Sequence, residues 1–323
     1  GRLARVALGV LVLAALVVAG LIVFAPATDK AVPRVATVAV PPAPPPSTVV
    51  PRAAPAPGPA PEVDISSAFP TLPEVAALPD LPPPTWIRNA VKALVAPGQP
   101  MIAVVIDDMG LDRVRAQRTV DLPGTLTLAY LAYADDLAGQ TGSARTAGHE
   151  LLVHVPMEPG SASTDPGPNA LLTGLTPDEL ARRVDWNLSQ FSGFVGINNH
   201  MGSKATSDRP SMDVVMAALK QRGLLFLDSR TSGATVAQDA ASDAGIPALR
   251  RDVFLDHDPS PVAVRAALLQ VEQVAREQGF AIAIGHPKDA TIAALSEWLP
   301  DVQARGYAIV PVSAIARRRA GMM

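Results

Sequence analysis

Short apolar runs alternate with amphipathic stretches along residues 98–316 of the chain. Runs that lack a polar face are typical of parallel strands covered on both sides. We therefore predict a buried strand at each of eight runs: Met101–Ile106, Leu126–Leu131, Leu151–Val153, Phe194–Ile197, Leu224–Leu227, Val253–Leu255, Phe280–Ile284 and Tyr307–Val310.

The amphipathic stretches between these runs predict helices. An apolar stripe at helical spacing follows Thr176-Pro177-Asp178-Glu179, which supplies an N-cap, a proline at the first position and an acidic first turn. Ser211–Arg222 and Val262–Gln278 show a similar pattern, and Gly279 marks the end of the latter helix. Alternating strands and helices predict an α/β fold with a parallel sheet, and seven or eight strands in roughly 220 residues favour a (β/α) barrel.

One apolar stretch is of a different kind. Val6–Ala25 is a segment of 20 residues without a charge, and 20 helical residues span about 30 Å, the thickness of a bilayer core. Arg2 and Arg5 precede it, so the positive-inside rule puts the rest of the chain on the non-cytoplasmic side. The alternative is a signal peptide cleaved near Ala25-Pro26-Ala27, but the apolar part of such peptides is usually shorter. We expect a single-pass anchor in the cytoplasmic (inner) membrane at residues 1–27, with the C-terminal domain in the periplasm.

Proline dominates the next segment. Of the 33 prolines in the chain, 18 lie between Pro26 and Pro84. Proline fixes φ and lacks an N–H group, so this segment is expected to be an extended spacer. The boundaries that follow are a linker at 28–97, a folded domain at 98–316 and a short tail at 317–323.

Composition excludes several classes of function. The chain has 27 Lys and Arg against 30 Asp and Glu, and it has no cysteine. A near-neutral balance argues against a nucleic-acid partner. The lack of cysteine excludes disulfides, iron–sulfur clusters, thiolate zinc sites and a catalytic thiol. Any metal must therefore be held by His, Asp or Glu.

Polar residues follow six of the predicted strands. They are Asp107 and Asp108, His154, Asn198-Asn199-His200, Asp228-Ser229-Arg230, Asp256-His257-Asp258 and His286. The carboxyl ends of barrel strands share one rim, and carboxylate and imidazole there suit a divalent metal. Each group also has a structural explanation: an aspartate pair can cap a helix, Asn198 and Asn199 can form a turn, and Asp228 can pair with Arg230.

Several of these segments resemble a known family. Val104–Gly110 is similar to the first motif of NodB-type polysaccharide deacetylases, a strand that ends in paired aspartates, and Gly148–His154 is similar to the second motif. The domain most resembles the divergent, YibQ-like branch of that family. The supporting segments are His154–Pro159, Gly196–Ser203, Phe226–Ser232 and Ile284–Pro287.

The resemblance implies an irregular (β/α)₇-type barrel that removes N- or O-acetyl groups from a cell-envelope glycan with the help of a divalent metal. Matched by motif, Asp107 corresponds to the general base and His286 to the proton donor for the leaving group. Asp108 and His154 correspond to metal ligands.

One position departs from the family pattern. The second motif of the family has another histidine where this chain has Glu158, so either Glu158 or His200 is expected to complete the metal site. Zinc is our first choice of metal because it accepts mixed imidazole and carboxylate ligands. Arg230 is expected to orient Asp107 or Asp228, or to bind an acidic group of the substrate. Residues on the same rim are expected to contact the substrate: Asn198, Asn199, Asp228, Asp256 and His257.

The departure at Glu158 also leaves a second reading open. A barrel that has lost turnover would bind a glycan or an envelope partner instead of cleaving it. A third, weaker possibility is another metal hydrolase on the same barrel.

Overall fold

The computed structural model describes residues 82–322. The predicted anchor at Val6–Ala25 and most of the proline-rich linker lie outside these residues. Within residues 82–322, no helix is both long and apolar enough to cross a membrane.

The described residues form nine strands and nine helices in alternation. The strands are β1 (Met101–Met109), β2 (Thr127–Leu131), β3 (Glu150–Met157), β4 (Gly196–Met201), β5 (Leu225–Asp228), β6 (Ala248–Arg250), β7 (Val253–Phe254), β8 (Phe280–Gly285) and β9 (Ala308–Ile309). The helices are α1 (Thr85–Arg88), α2 (Arg113–Val120), α3 (Leu137–Thr146), α4 (Pro177–Leu188), α5 (Arg209–Arg222), α6 (Ala237–Ala244), α7 (Pro261–Gln278), α8 (Asp289–Ala304) and α9 (Val312–Arg319).

Each of the eight predicted apolar runs overlaps a strand. The Thr176 side chain caps α4 by accepting a hydrogen bond from Glu179 N at 3.3 Å, and α7 ends at Gly279 with a φ of 82°. The strand that we did not predict is β6, which has only three residues. A run this short carries no periodic signal of its own.

All strands pair in parallel, in the order β6-β5-β4-β3-β2-β1-β8-β7, and β9 pairs with the beginning of β1. The two edge strands, β6 and β7, are separated in the chain only by Arg251 and Asp252. Arg251 N donates to Asp228 O at the end of β5, whereas Asp252 N donates to Ile282 O in β8. The sheet must therefore curl until its edges meet at this one segment. The predicted parallel α/β fold is confirmed, but no ladder joins β6 to β7 in the described part of the chain, so the barrel is incomplete.

The two faces of the curled sheet bury different residues. Ile102, Val104 and Ile106 of β1 belong to the apolar layer between the sheet and its helices. Met101 and Val105 belong to a second cluster with alternate residues of the other strands. Residues 310–316 and Trp86 join this inner cluster. The middle of the barrel is therefore packed with apolar side chains, and polar residues that continue the inward alternation lie at the strand ends. Glu150 is such a residue at the amino end of β3, and the rim residues lie at the carboxyl ends.

Residues 82–97, which we expected in the linker, pack against this domain. The Trp86 side chain is buried, and the backbone N–H of Trp86 donates to Gly223 O at 2.9 Å. Asn89 Nδ2 donates to Phe194 O at 2.7 Å, and Val91 N donates to Glu150 Oε2 at 3.3 Å. The contacts of the folded unit therefore extend to the amino side of Gly98.

Candidate metal and catalytic site

Strand alternation brings the first group of polar residues into the barrel mouth. In β3, the inward position Leu152 is followed two residues later by His154. His154 is in register with Asn198 of β4, and Pro156 is in register with His200. Side chains two residues apart share a face, so Asn198 and His200 both point the same way as His154.

Asp107 and Asp108 cannot both follow this rule, because consecutive residues of a regular strand point to opposite faces. The pairing of β1 with β2 shifts register between Ile106 and Met109, and Asp108 has a φ of 54°. This irregularity turns the Asp108 side chain toward the cavity that Asp107 also lines. A left-handed φ at a non-glycine residue is unfavourable and is found preferentially at functional sites.

Asp108, His154 and His200 form a compact group of donor atoms. Asp108 Oδ1 lies 3.2 Å from His154 Nε2 and 2.8 Å from His200 Nδ1, and the two nitrogens are 3.2 Å apart. Asp108 Oδ1 is buried, yet it has no well-formed hydrogen bond among the described residues. A buried carboxylate oxygen that faces two imidazole nitrogens fits a divalent cation, and two His with one Asp is a donor set that zinc accepts.

The pKa values of this group also indicate a site that favours a cation. Burial alone would raise the pKa of Asp108, but the close contacts with His154 and His200 and the positive charge of these rings outweigh it and hold this pKa well below its usual range. Burial acts to lower the pKa of His154, but the negative charge of Asp107 and the contact with Asp108 raise it to about 9. The pocket therefore stabilises positive charge at the position where the three donors converge.

Asn198 fixes the orientation of the His154 ring. Its amide nitrogen donates to Asp107 Oδ1 at 2.7 Å and to Ser229 Oγ at 3.2 Å, so its amide oxygen must face His154 Nδ1, at 2.8 Å. His154 Nδ1 is therefore protonated, and its Nε2 faces Asp108 and His200. Asn198 is fully buried. We expected Asn198 to contact the substrate, whereas in this structure its amide is used entirely beneath the cavity.

Asp107 lies beside the candidate metal-binding group without belonging to it. It is 3% exposed, and its Oδ2 is 3.8 Å from His154 Nε2. Burial raises the pKa of Asp107, while the charges of His154 and His286 and the hydrogen bond from Asn198 oppose that rise. The expected contact from Arg230 is not made in the described structure: Asn198, and not Arg230, donates to Asp107.

His286 is held from the other side of β1. Its Nδ1 donates to Asp256 Oδ1 at 2.9 Å, which leaves Nε2 facing Asp108 Oδ2 at 3.7 Å. Burial acts to lower the pKa of His286, but the hydrogen bond and charge of Asp256 outweigh it and raise the pKa above its ordinary value. Asp256 is fully buried and also accepts from Thr291 Oγ1 and His286 N, both at 2.8 Å. It therefore positions His286 and does not reach the cavity, contrary to our expectation.

Glu158 is not brought to the metal-binding group. Its Oε2 accepts from both Thr173 N and Thr173 Oγ1 at 2.7 Å, and its Oε1 pairs with Lys204 Nζ at 2.7 Å. The carboxylate is thus fully engaged in anchoring the loops that follow β3 and β4. His200 supplies the third donor in its place.

The cavity above these residues has a volume of about 520 Å³. Of the expected substrate contacts, Asn199 and His257 line it, as does Arg230. Asp228 does not, because it is fully buried and accepts from Arg230 N at 2.7 Å and Thr235 Oγ1 at 2.9 Å. The lining also includes Ser229, to which the sequence reasoning gave no role, and five residues that it did not identify as site residues: Met201, Thr231, Arg251, Phe254 and Ile284. The one feature of the sequence that could have identified them is position, because each lies within three residues of the end of a strand.

Comparisons with known proteins agree with this architecture. The family model of divergent polysaccharide deacetylases matches residues 104–316. The uncharacterised protein YibQ of Escherichia coli is 36% identical over 222 residues, which cover 66% of this chain and 69% of YibQ. An uncharacterised protein of Haemophilus influenzae is 35% identical over 202 residues, or 62% of this chain and 71% of that protein.

A solved structure gives the same result in three dimensions. The crystal structure of an uncharacterised protein from Agrobacterium tumefaciens aligns with a TM-score of 0.70 at 30% identity. The alignment covers 72% of this chain and 95% of that protein. With the family model spanning nearly all of the curled sheet and its rim, this chain belongs to the divergent polysaccharide deacetylase family.

Proposed function

We propose that this protein is a metal-dependent carbohydrate deacetylase that hydrolyses N- or O-acetyl groups of a cell-envelope glycan. The observation that carries the proposal is the convergence of a metal-type donor group, a buried carboxylate and a carboxylate-backed histidine in one cavity. Family membership supports the acetylated-glycan substrate class.

Asp108, His154 and His200 are the residues that would hold the metal, and zinc is the metal that we propose. A divalent cation at such a site acts as a Lewis acid toward a carbonyl oxygen and lowers the pKa of water. Asp107 is placed to accept the proton from the attacking water, because burial raises its pKa toward the range in which a carboxylate is an effective base. Asn198 keeps the Asp107 carboxylate in a fixed orientation during this transfer.

His286 is the residue that donates a proton to the departing amine or alcohol. Its Nδ1 is tied to Asp256, so the proton that it transfers is the one on Nε2, which faces the cavity. The raised pKa of His286 favours the protonated ring that a general acid needs. A base on β1 and an acid after β8 therefore flank the same reacting centre.

The alternative of a barrel without turnover rested on Glu158. That argument is weakened by the position of His200, which supplies the imidazole that the departure at Glu158 removes. No comparable argument from the described residues favours loss of activity.

The test uses the purified full chain, its metal content and its release of acetate from N-acetylated and O-acetylated glycan oligomers. We expect stoichiometric metal in the wild type, loss of metal in His154→Ala, and retained metal without turnover in Asp107→Asn. Equal, negligible metal in the wild type and in His154→Ala would overturn the proposal. Bound metal with no acetate release from any oligomer would favour the glycan-binding alternative.

A further inference from the structure

The cavity carries positive charge on a different part of its wall from the two catalytic carboxylates. Asp107 and Asp108 come from β1, whereas Arg230 follows β5 and Arg251 lies between β6 and β7. The β5 and β6 positions are neighbours in the sheet, so the two arginines come from adjacent positions of the barrel rim. The mouth therefore has an acidic sector and a basic sector.

Arg251 is held rigidly in the basic sector. Its Nε donates to Ser229 O at 2.7 Å and its Nη2 to Arg230 O at 3.0 Å, while its guanidinium carbon lies 4.8 Å from the centre of the Phe254 ring. Both hydrogen bonds go to backbone carbonyls, so neither neutralises its charge. A guanidinium that is already immobilised loses little conformational entropy when it binds a ligand.

Arg230 is left without a partner for its charge. It has a φ of 51°, its N–H donates to the buried Asp228, and its exposed side chain makes no hydrogen bond or ion pair within residues 82–322. Several other surface arginines pair with aspartates, as in Arg115 with Asp289 and Arg209 with Asp243.

Both arginines line the same cavity, and their positive charges act on each other. Burial, and after it the positive charge of Arg230, lower the pKa of Arg251, while the carboxylates of Asp107, Asp228 and Asp252 act to raise it. Like charges at one wall are stabilised when an anion binds between or beside them. Exposed His257 lies on the same wall, 5.8 Å from Phe254 between ring centres.

We propose that Arg230 and Arg251 bind an anionic group, a carboxylate or a phosphate, that the acetylated sugar itself carries. This inference rests on the proposed function and narrows it, because it makes an acidic glycan the preferred substrate. Guanidinium groups suit this task since they bind carboxylate and phosphate oxygens in a bidentate manner. The acetyl group is then directed to the acidic sector, where the metal-binding group, Asp107 and His286 lie.

The test compares three sugars that share one N-acetyl group: neutral N-acetylglucosamine, N-acetylmuramic acid with its carboxylate, and N-acetylglucosamine 6-phosphate. Each is measured with the full chain for kcat/KM and, by calorimetry, for binding. We expect the acidic sugars to exceed the neutral one by about tenfold, the usual scale for a charge-assisted hydrogen bond. Comparing kcat/KM for N-acetylmuramic acid and for N-acetylglucosamine 6-phosphate identifies whether the site prefers a carboxylate or a phosphate.

Variants assign the preference to the arginines. Arg230→Gln should reduce the ratio of acidic to neutral substrate severalfold, and Arg230→Lys should restore part of it. The matched control is Arg182→Gln, whose side chain on α4 is 74% exposed and remote from the cavity lining. It should leave the ratio unchanged. Partial unfolding of a variant would lower kcat/KM for the acidic and the neutral sugar by the same factor. The ratio of the two values, measured on one preparation, is therefore unaffected by it.

The outcomes separate this inference from the proposed function. Turnover of all three sugars with equal efficiency, or an equal loss of kcat for all three in Arg230→Gln, overturns the inference and leaves the deacetylase proposal standing. If no sugar is turned over, the deacetylase proposal is in question, and the calorimetric ratio decides the inference alone. Equal binding of acidic and neutral sugars would then reject it.

Discussion

Asn198 donates a hydrogen bond from its side-chain amide to Asp107 Oδ1 at 2.7 Å, and this contact joins the proposed base to the proposed metal site. Through its oxygen, the same amide fixes the His154 ring. One buried residue thus sets both the orientation of the carboxylate and the tautomer of a metal ligand.

Replacing Asn198 with Ala should therefore weaken both functions. We expect metal affinity or kcat to fall by about 10- to 100-fold, the range found for residues that support metal ligands. Calorimetric metal titration and acetate release measure the two effects. Asn187→Ala is the matched control, since Asn187 is a fully buried asparagine on α4 whose amide donates only to Asn169 O and Arg183 O. Equal metal affinity and kcat in the two variants would contradict this role for Asn198.

Glu158→Gln distinguishes the two candidates for the third metal ligand. Because Glu158 bonds to Thr173 and Lys204, we expect the variant to keep its metal, whereas His200→Ala should lose most of it. The stability cost of Glu158→Gln should be below about 1 kcal/mol, since Lys204 is half exposed. Elemental analysis of both variants gives the answer, and loss of metal in Glu158→Gln would show that the carboxylate turns toward the cavity.

Asp256→Asn should change the pH dependence of kcat. If His286 is the general acid, as proposed, activity is lost as pH rises through its pKa, and the charge of Asp256 raises that pKa. Removing the charge should move the alkaline limb of the profile to lower pH while leaving the acidic limb, which reports deprotonation of Asp107, in place. An unshifted alkaline limb would mean that another group donates the proton. Glu297→Gln, at a solvent-exposed position of α8, serves as the control.

Glu150 at the floor of the barrel should make stability depend on pH. It is fully buried between Val91 and Ser313, and burial raises its pKa from 4.5 to about 7 despite those hydrogen bonds. The folded state therefore binds more protons than the unfolded state between these values, so stability falls as pH rises from about 4.5 to about 7. The loss is up to about 3 kcal/mol.

Glu150→Gln should remove the fall in the free energy of unfolding between pH 4.5 and about pH 7, whatever its effect on absolute stability. Urea unfolding at pH 5 and pH 8, carried out on the wild type and the variant, measures the difference. The surface substitution Glu297→Gln should retain the wild-type slope. Identical slopes in all three proteins would show that Glu150 keeps an ordinary pKa in the fold.

The location of the domain is a prediction from the sequence alone. If Val6–Ala25 spans the inner membrane with Arg2 and Arg5 inside, the domain lies in the periplasm. Protease added to spheroplasts should then degrade the domain, while a cytosolic marker survives. Protection of the domain until the cells are lysed would refute this topology.

The sequence determined eight of the nine strands of residues 82–322, the fold class and most of the rim. Apolar runs such as Met101–Ile106 can be recognised because a strand buried on both faces needs apolar residues at every position. In a parallel sheet, the residue after each run must also lie on the rim, which is why Asp108, His154 and His200 could be expected to meet. The apolar runs are a local feature of the sequence, and the composition of the rim follows from them because all the strands are parallel.

The tertiary structure decided which rim residues face the cavity and which support it. Asn198, Asp228 and Asp256 are polar residues at strand ends, just as His154 is, yet all three are used in hydrogen bonds below or behind the cavity. Glu158 sits where the family pattern has a ligand, but Lys204 and Thr173 hold it elsewhere. The reason is physical. The end of a strand fixes the position of a residue's backbone, whereas the direction of its side chain depends on backbone irregularities, such as the φ of 54° at Asp108, and on partners distant in the chain. Neither of these has a local signal in the sequence.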